Sequence, residues 1–473
     1  MQKCIGICSK CGRCKNAALM SGANDRKTKL TAYPTDFQPD TGMSGYGMAF
    51  DIGTTTVVGM LWDLNSGKML DTVAKTNPQN EFGMDVISRI TFCGRDEEKL
   101  KILQGKIREC LNQIIEGLCK KQGINSEDIL KVSICGNTTM SHLFLGYCPI
   151  SLALAPFEPA YKGTIIIGKE ESGLEVSESC QVTVIPNIAG HVGGDITAGI
   201  LASRLEKKKD LTVFIDIGTN GEIALVDGNQ RFVCSTAAGP AFEGASISCG
   251  MRAAAGAIEK VLIDDGEVYF KTIGECEAVG ICGSGILDCV AELLKAGIVN
   301  HKGKMLAADD LTAASLPETL RERLVTDGKM KKFILAYKED GTNIAITQND
   351  IREIQLAKGA MAAGIAILLE EAGRSAEEIE EFIVAGAFGS YISKESAVAI
   401  GLLPDIDIEK ITSGGNTAGA GVSMAMMSDV EMQHVKTIPQ AFKHVELADK
   451  ADFQDVYLKT MLFPKNEEIN KKM

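Results

Sequence analysis

The stretch Met48-Ala49-Phe50-Asp51-Ile52-Gly53-Thr54-Thr55-Thr56-Val57-Val58-Gly59-Met60-Leu61-Trp62 reads as an apolar strand, a polar tight turn and a second apolar strand. The same grammar returns at Val213-Phe214-Ile215-Asp216-Ile217-Gly218-Thr219-Asn220-Gly221, followed by Glu222-Ile223-Ala224-Leu225-Val226. Each copy delivers an aspartate to a strand end and follows it with a Gly-hydroxyl turn, where backbone N–H groups can face phosphate oxygens. Strand, turn, strand is a hairpin, unlike the strand-to-helix P-loop with its lysine, which this chain lacks. Two such hairpins facing one another would grip phosphates from both sides. A single Asp-Ile-Gly-Thr serves many plain hairpins; two copies in matching contexts point to a nucleotide clamp.

Working outward, each hairpin opens a similar succession of elements. Strands are expected over 48–52, 57–63 and 69–75, helices over 83–92 and 96–121, then a buried strand 132–135, a helix through Leu145, a strand 182–185 and a helix 194–205. The order restarts with strands 212–216, 222–226 and 231–235, a helix or two, strand Ala278–Cys282, and helix 286–297. A long Ala-rich helix 349–372, strand Phe382–Ala385 and helix 418–428 complete it. Two β-β-β-α-β-α units in tandem make an internal duplication. The expected domains are a Cys-rich segment 1–16, a linker 17–46, a first lobe 47–209, a second lobe 210–430 with an insertion over about 298–346, and an amphipathic tail 431–473.

The composition narrows the classes. At 473 residues the chain exceeds one ordinary core. A net charge of −13 argues against sequence-independent nucleic-acid binding and against an anionic membrane surface. Its apolar runs are short and broken, so no bilayer span is expected, and the N-terminus is not a signal peptide. The cytoplasm is the expected location. Most of the 15 cysteines stand singly in apolar segments, which fits a reducing interior better than a disulfide framework.

Asp51 and Asp216 can hold Mg²⁺ through water, since that ion favours few carboxylates and keeps its hydration shell. Gly53, Thr54, Thr55 and Thr56 in one turn, and Gly218, Thr219 and Asn220 in the other, would face β- and γ-phosphate oxygens of ATP. Gly283, in Gly283-Ser284-Gly285, and Gly386, Ala387 and Gly389, in Gly386-Ala387-Phe388-Gly389, follow apolar strands and can pass close to adenosine. Tight backbone packing explains these glycines equally well. Gly239-Pro240-Ala241-Phe242-Glu243-Gly244 puts a carboxylate near a helix start, suited to ribose hydroxyls or simply to the helix terminus. Asn137 can orient the attacking water or a phosphate, or cap its helix. His142 and His191 receive no role.

The head carries Cys4-x3-Cys8-x2-Cys11-x2-Cys14, four thiols within eleven residues. Bacterial [4Fe–4S] loops pack ligands at such intervals, whereas structural zinc sites draw on two separated pairs. An iron–sulfur cluster, [4Fe–4S] by spacing, is therefore the reading, with zinc as the alternative. One ligand from elsewhere, Cys93 or Cys148, remains open.

These residues together resemble the reductive activators of corrinoid enzymes, a branch of the acetate and sugar kinase, Hsc70 and actin superfamily. The resemblance spans roughly 47–430 and rests on the first hairpin, on Asn77-Pro78-Gln79 with Phe82-Gly83-Met84-Asp85-Val86, on Gly136-Asn137-Thr138-Thr139-Met140 and on Gly239-Pro240-Ala241-Phe242-Glu243-Gly244-Ala245. Gly250-Met251-Arg252-Ala253, Ala385-Gly386-Ala387-Phe388-Gly389, and Gly414, Asn416, Ala418, Gly419 and Ala420 fit as well. It implies an α/β fold of duplicated actin-like, ribonuclease-H-like ATPase domains. It implies an ATP-dependent electron donor that reduces Co(II) of a corrinoid protein in a methyltransferase system to Co(I). The electron would come from a low-potential donor such as ferredoxin or flavodoxin. A homodimer is expected from the resemblance and from the apolar Ala-rich helix. The short cysteine head departs from the longer plant-type domain, and from the C-terminal ferredoxin motifs, of other members. The alternatives are an activator of a 2-hydroxyacyl-CoA dehydratase, a small-molecule kinase of the same fold, and an ATP-switched binding module with zinc in its head.

Overall fold

The computed structural model describes residues 33–338, 341–389 and 391–465. Cys4, Cys8, Cys11 and Cys14 lie outside the described residues. The first lobe is a six-stranded sheet of β1 (Tyr46–Ile52), β2 (Thr56–Asp63), β3 (Lys68–Thr76), β4 (Ile129–Gly136), β5 (Ile165–Ile167) and β6 (Gln181–Val184), in the order β3-β2-β1-β4-β6-β5. The three opening strands pair antiparallel, while β4 lies parallel to both β1 and β6.

The second lobe repeats that plan. Its strands are β7 (Thr212–Ile217), β8 (Gly221–Asp227) and β9 (Gln230–Thr236), joined much later in the chain by β16 (Glu381–Ala385), β17 (Ile411–Gly415) and β18 (Lys443–His444). The order β17-β16-β7-β8-β9-β18 overlays β6-β4-β1-β2-β3, with β16 parallel to β7 as β4 is to β1. Long helices Glu97–Gln122 and Gln348–Ala372 occupy matching places before β4 and β16. Both end on left-handed glycines, Gly123 and Gly373, which stop a helix without a Cβ clash.

One sequence expectation is corrected here. The second lobe's fourth strand is β16, and the segment Ala278–Cys282 contributes only the two-residue β12 (Gly280–Ile281) to a separate sheet. That sheet, ordered β11-β10-β12, contains β10 (Ala257–Asp264) and β11 (Glu267–Thr272), where one or two helices were expected. The local reason is the Asp265-Gly266 turn, both residues at positive φ (49° and 77°), which suits a two-residue hairpin. A third sheet, β13 (Leu324–Asp327), β14 (Met330–Ala336) and β15 (Ile344–Thr347), follows before the long helix.

The lobes meet through helices Gly194–Ser203 and Thr417–Met427, which follow β6 and β17 at equivalent positions. Small residues let them touch backbone to side chain: a Cβ on Gly421 would stand 1.9 Å from the Ala198 carbonyl. Around this seam a core of Ala49, Ile196, Phe214, Ala224, Val422 and Met424 draws on both lobes. It fixes the β1 and β7 strand ends beside one cleft. Residues 33–45 lie along this core without helix or strand, Tyr33 stacking edge-on to Trp62 at 5.5 Å. The Ala-rich helix buries its apolar positions within the chain, against β8, β9 and the terminal helix Phe453–Thr460. It therefore supplies no independent argument for a dimer. Among the described residues no helix is long and apolar enough to cross a membrane.

Candidate functional site

Each hairpin turn closes on one backbone bond. Gly53 N donates to the Thr56 carbonyl at 3.0 Å, and Gly218 N to the Asn220 carbonyl at 2.9 Å. A side chain at Gly53 would meet the Thr56 carbonyl at 2.6 Å, so this turn requires glycine. Asn137 caps helix Thr138–Leu145, accepting from Met140 N at 2.9 Å, while its amide donates to Thr54 Oγ1 at 2.8 Å. The capping expectation thus holds, and the same side chain reaches the first hairpin turn. Thr56 begins β2 with its side chain exposed.

The first turn is buttressed from behind by residues to which the sequence reading gave no role. Asn77 donates to the Gly53 carbonyl at 2.9 Å, and Arg89, fully buried, donates to the Thr54 carbonyl at 2.5 Å and the Gly83 carbonyl at 2.9 Å. Burial lowers the Arg89 guanidinium to about 10, with the Asp85 charge opposing. Backbone and amide oxygens satisfy its donors, and that fixes the turn from the side away from the cleft. The Asn77-Pro78-Gln79 and Asp85-Val86 motifs were visible in the sequence; their function as a brace was not.

The cleft floor is acidic. Asp51, opposite Cys135 and Val58 in the sheet, and Asp216, opposite Glu222 and Ala385, come from the two lobes. Asp195, at the start of the Gly194–Ser203 helix, and the buried Glu222 join them. Burial, reinforced by Asp195, raises Asp51 to about 7, although Asn416 and the Cys135 thiol, 3.8 Å from its Oδ1, bond to it. Burial, then Asp195 and Asp51, raises Asp216 to about 8. Asp195 is pushed up by burial, and Glu222 by burial, Asp195 and Asp216. Neither Asp195 nor Glu222 was singled out from the sequence. A carboxylate interrupting the apolar β8 pattern was the available signal for Glu222.

Of the second-lobe residues expected at the nucleotide, Gly386 and Glu243 are brought to the acidic group and the two turns. Gly386 has φ 90°, and a Cβ there would lie 2.5 Å from Asp216 Oδ1. Gly389 packs under Val384, where a Cβ would meet Cγ1 at 2.9 Å. Ala387 lies in the same short helical turn, Gly386–Gly389. Gly283 opens helix Gly283–Lys295, pressed between the Phe242 carbonyl and the Phe388 ring, whose face stacks on Phe242 at 5.4 Å. Gly239, at φ 77°, turns the chain into the short 3₁₀ segment Pro240–Glu243. Glu243 then lies between the two turns: Thr55 Oγ1 donates to its Oε2 at 2.9 Å, and Thr219 Oγ1 donates to its Oε1. His142 is bound structurally, its Nε2 accepting from Ala160 N at 2.9 Å, and burial holds it down at about 4.

Four carboxyls from both lobes lie within electrostatic reach of one another, and their mutual repulsion when ionised would favour a cation among them. Among the described residues no three His, Cys, Asp or Glu side chains gather closely enough to hold a metal unaided, and Mg²⁺ with its water shell needs fewer. The raised carboxyls keep protons in the folded chain that the unfolded chain releases. Their stabilising contribution is therefore complete below about pH 4 and lost as pH rises through about 7 to 8. Lys358, buried and lowered to about 7, works the other way, so the increment given by Mg²⁺ is the cleaner quantity. Mg²⁺ should raise the melting temperature more at about pH 8 than at about pH 6, because it binds the ionised forms. Equal increments in differential scanning fluorimetry at both pH values would exclude the cleft acids as its site.

Comparison with known proteins agrees with this architecture. Residues 46–208 match the model of the RACo middle region, and residues 210–472 that of the C-terminal domain of RACo, the ASKHA domain. The chain is 40% identical over 425 residues to the corrinoid activation enzyme RamQ of Eubacterium limosum, covering 89% of this chain and 71% of the relative. It is 27% identical over 447 residues to the [Co(II) methylated amine-specific corrinoid protein] reductase of Methanosarcina barkeri, covering 87% and 76%. The solved structure of a reductive activator for a corrinoid, iron–sulfur protein superposes with a TM-score of 0.79 at 38% identity. That match covers 89% of this chain and 66% of the other, so the chain spans slightly under two thirds of that activator.

Proposed function

The chain belongs to the RACo family, and from that premise we propose that it is an ATP-dependent reductive activator, returning Co(II) of a corrinoid protein in a methyltransferase system to Co(I). The observation that carries the ATP part is the pair of Asp-Gly-hydroxyl turns, one from each lobe, facing one cleft over a shared acidic floor. Thr54, Thr55 and Thr219, with the turn N–H groups, would hold the phosphates. Asp51 and Asp216, backed by Asp195 and Glu222, would hold Mg²⁺ through water. Asn137, which donates to Thr54 in the first turn, would in this reading orient a phosphate or the attacking water. ATP with its cation supplies the free energy of phosphoanhydride hydrolysis when bound.

The electron side of the reading rests on Cys4, Cys8, Cys11 and Cys14 as ligands of an iron–sulfur cluster fed by a low-potential ferredoxin or flavodoxin. Reduction of Co(II) by one electron is difficult for ordinary donors, and so nucleotide-driven change in the complex with the corrinoid protein is the natural coupling. A homodimer belongs to the same reading through family resemblance, and light scattering tests it. The deciding experiment mixes anaerobically purified protein, a strong chemical reductant and a Co(II) corrinoid protein, with and without MgATP. The Co(II) electron paramagnetic resonance signal should decay only with MgATP. Decay at the same rate without nucleotide would refute the ATP coupling, and no decay with any methyltransferase corrinoid protein would refute the activator reading.

A further inference from the structure

Glu243 belongs to no strand end and to no part of the acidic floor, yet it holds the two phosphate turns together. Its two oxygens accept from Thr55 of the first lobe and Thr219 of the second. These hydroxyls are the ones that the hairpin reading assigns to phosphate. A second contact in the same direction comes from the same segment, since Arg252 Nη1 donates to Thr76 Oγ1 at 3.2 Å, at the end of β3. Between Gly239 and Arg252, then, the second lobe reaches over the cleft and touches the first lobe twice. The anchor for this reach is Phe242, buried and stacked on Phe388. Its corners are Gly239 and Gly244, at φ 77° and 79°, and a Cβ on Gly244 would stand 2.8 Å from Met251 N.

We infer that Glu243 and the phosphates of ATP compete for Thr55 and Thr219, so that phosphate binding breaks the bridge Glu243 makes between the two turns. A carboxylate and a phosphate are both anionic acceptors, so they compete for the same two hydroxyls and repel one another if both are present. Phosphate entry therefore costs the Thr55–Glu243–Thr219 bridge, and it resets the one carboxylate that spans the lobes. Glu243 is in this sense a positioning residue: it sets nucleotide affinity and reports phosphate occupancy to the segment that ends at Arg252. This assignment differs from a ribose contact, because the ribose would lie beyond the phosphates and not between the turns.

The inference rests on the ATP reading, and the test separates the two. Equilibrium binding of AMPPNP with Mg²⁺, and of AMP, is measured by calorimetry on the anaerobically purified full chain and on Glu243→Gln and Glu243→Ala. Both variants should bind AMPPNP about tenfold more tightly than wild type, the size expected for losing a charge-assisted competitor. AMP, which lacks the β- and γ-phosphates, should bind unchanged. The KM for ATP should fall in parallel. Weaker AMPPNP binding with AMP unchanged would make Glu243 a ligand of the phosphates or their cation, and weaker binding of both would make it a nucleoside contact; either overturns the inference alone. Unchanged binding of both nucleotides also overturns it. No nucleotide binding by wild type would overturn the ATP reading and this inference with it. Glu243→Ala guards against the case in which the glutamine still bridges the two hydroxyls.

Discussion

Asp216→Asn should lose ATP hydrolysis by on the order of a thousandfold, or about 4 kcal/mol of transition-state stabilisation, while iron content stays at the wild-type level. The expectation comes from position. Asp216 lies one residue before the end of β7, paired with Glu222 and with Ala385 at the end of β16, and Gly386 lies so close that a Cβ there would crowd its Oδ1 at 2.5 Å. A carboxyl held there at about 8 by burial and by Asp195 and Asp51 is unfavourable as an anion unless a cation stands beside it. Removing its charge should therefore leave the melting temperature near pH 8 unchanged or higher without Mg²⁺, and should remove most of the Mg²⁺ increment. This split distinguishes a cation-binding role from a structural one, because a structural aspartate would lower the melting temperature when replaced. Retained ATPase activity within about tenfold of wild type would remove Asp216 from the site and with it the symmetry argument that placed it there.

The hairpins were legible in the sequence because they are local. Strand, turn and strand lie within some fifteen residues, and the near-continuous burial along β1, β2, β7 and β8 follows directly from their unbroken apolar runs. The duplication was legible for the same reason at its opening three strands. It was not legible at the fourth strand, because Ala278–Cys282 and Phe382–Ala385 are both short apolar runs ending in glycine turns. Only pairing with β7 chooses between them, and that is a contact over more than 150 positions of chain, invisible to any local pattern. The Asp265-Gly266 hairpin is a different case. Its turn signal was present, and the flanking Ile258, Val261 and Val268 fit strands; it was overlooked rather than hidden.

For the site the same division applies. Asp51, Asp216 and the turn residues could be named because each sits in a repeated motif. Asp195 and Glu222 could not, since their membership of the acidic floor depends on the docking of Gly194–Ser203 and on β7–β8 register. Arg89 is the clearest example. An arginine in a helix with Asp85 at its N-cap reads as a solvated side chain, whereas it is fully buried behind the Thr54 turn and bonded to carbonyls at Thr54 and Gly83. Glu243 was found for its residue type but not for its place, because only the assembled lobes bring Thr55 and Thr219 to the same carboxylate.

Cys11→Ala should produce the opposite split from Asp216→Asn: ATP hydrolysis within about threefold of wild type, with iron and sulfide falling from about four each per chain toward zero and Co(II) reduction lost. The reasoning combines spacing with distance along the chain. Cys4, Cys8, Cys11 and Cys14 crowd into eleven residues at one end, while every residue assigned to phosphate or cation lies between Asp51 and Gly389. Removing one thiolate from a four-cysteine set leaves an iron site without its strong ligand, and cluster assembly seldom tolerates that loss. The ATP cleft depends instead on the sheet ends and on the seam between Gly194–Ser203 and Thr417–Met427, none of which contains the head cysteines. Iron and sulfide analysis of anaerobically purified protein, alongside ATPase and Co(II) reduction assays, reads all three quantities at once. Full Co(II) reduction by Cys11→Ala would mean that the electron enters through another protein and that the head is not its carrier. Loss of ATPase together with iron would mean that cluster and cleft form one cooperative unit. Stoichiometric zinc in wild type, with no iron, would remove the redox role of the head and leave an ATP-binding protein whose partner is still to be found by its chemistry.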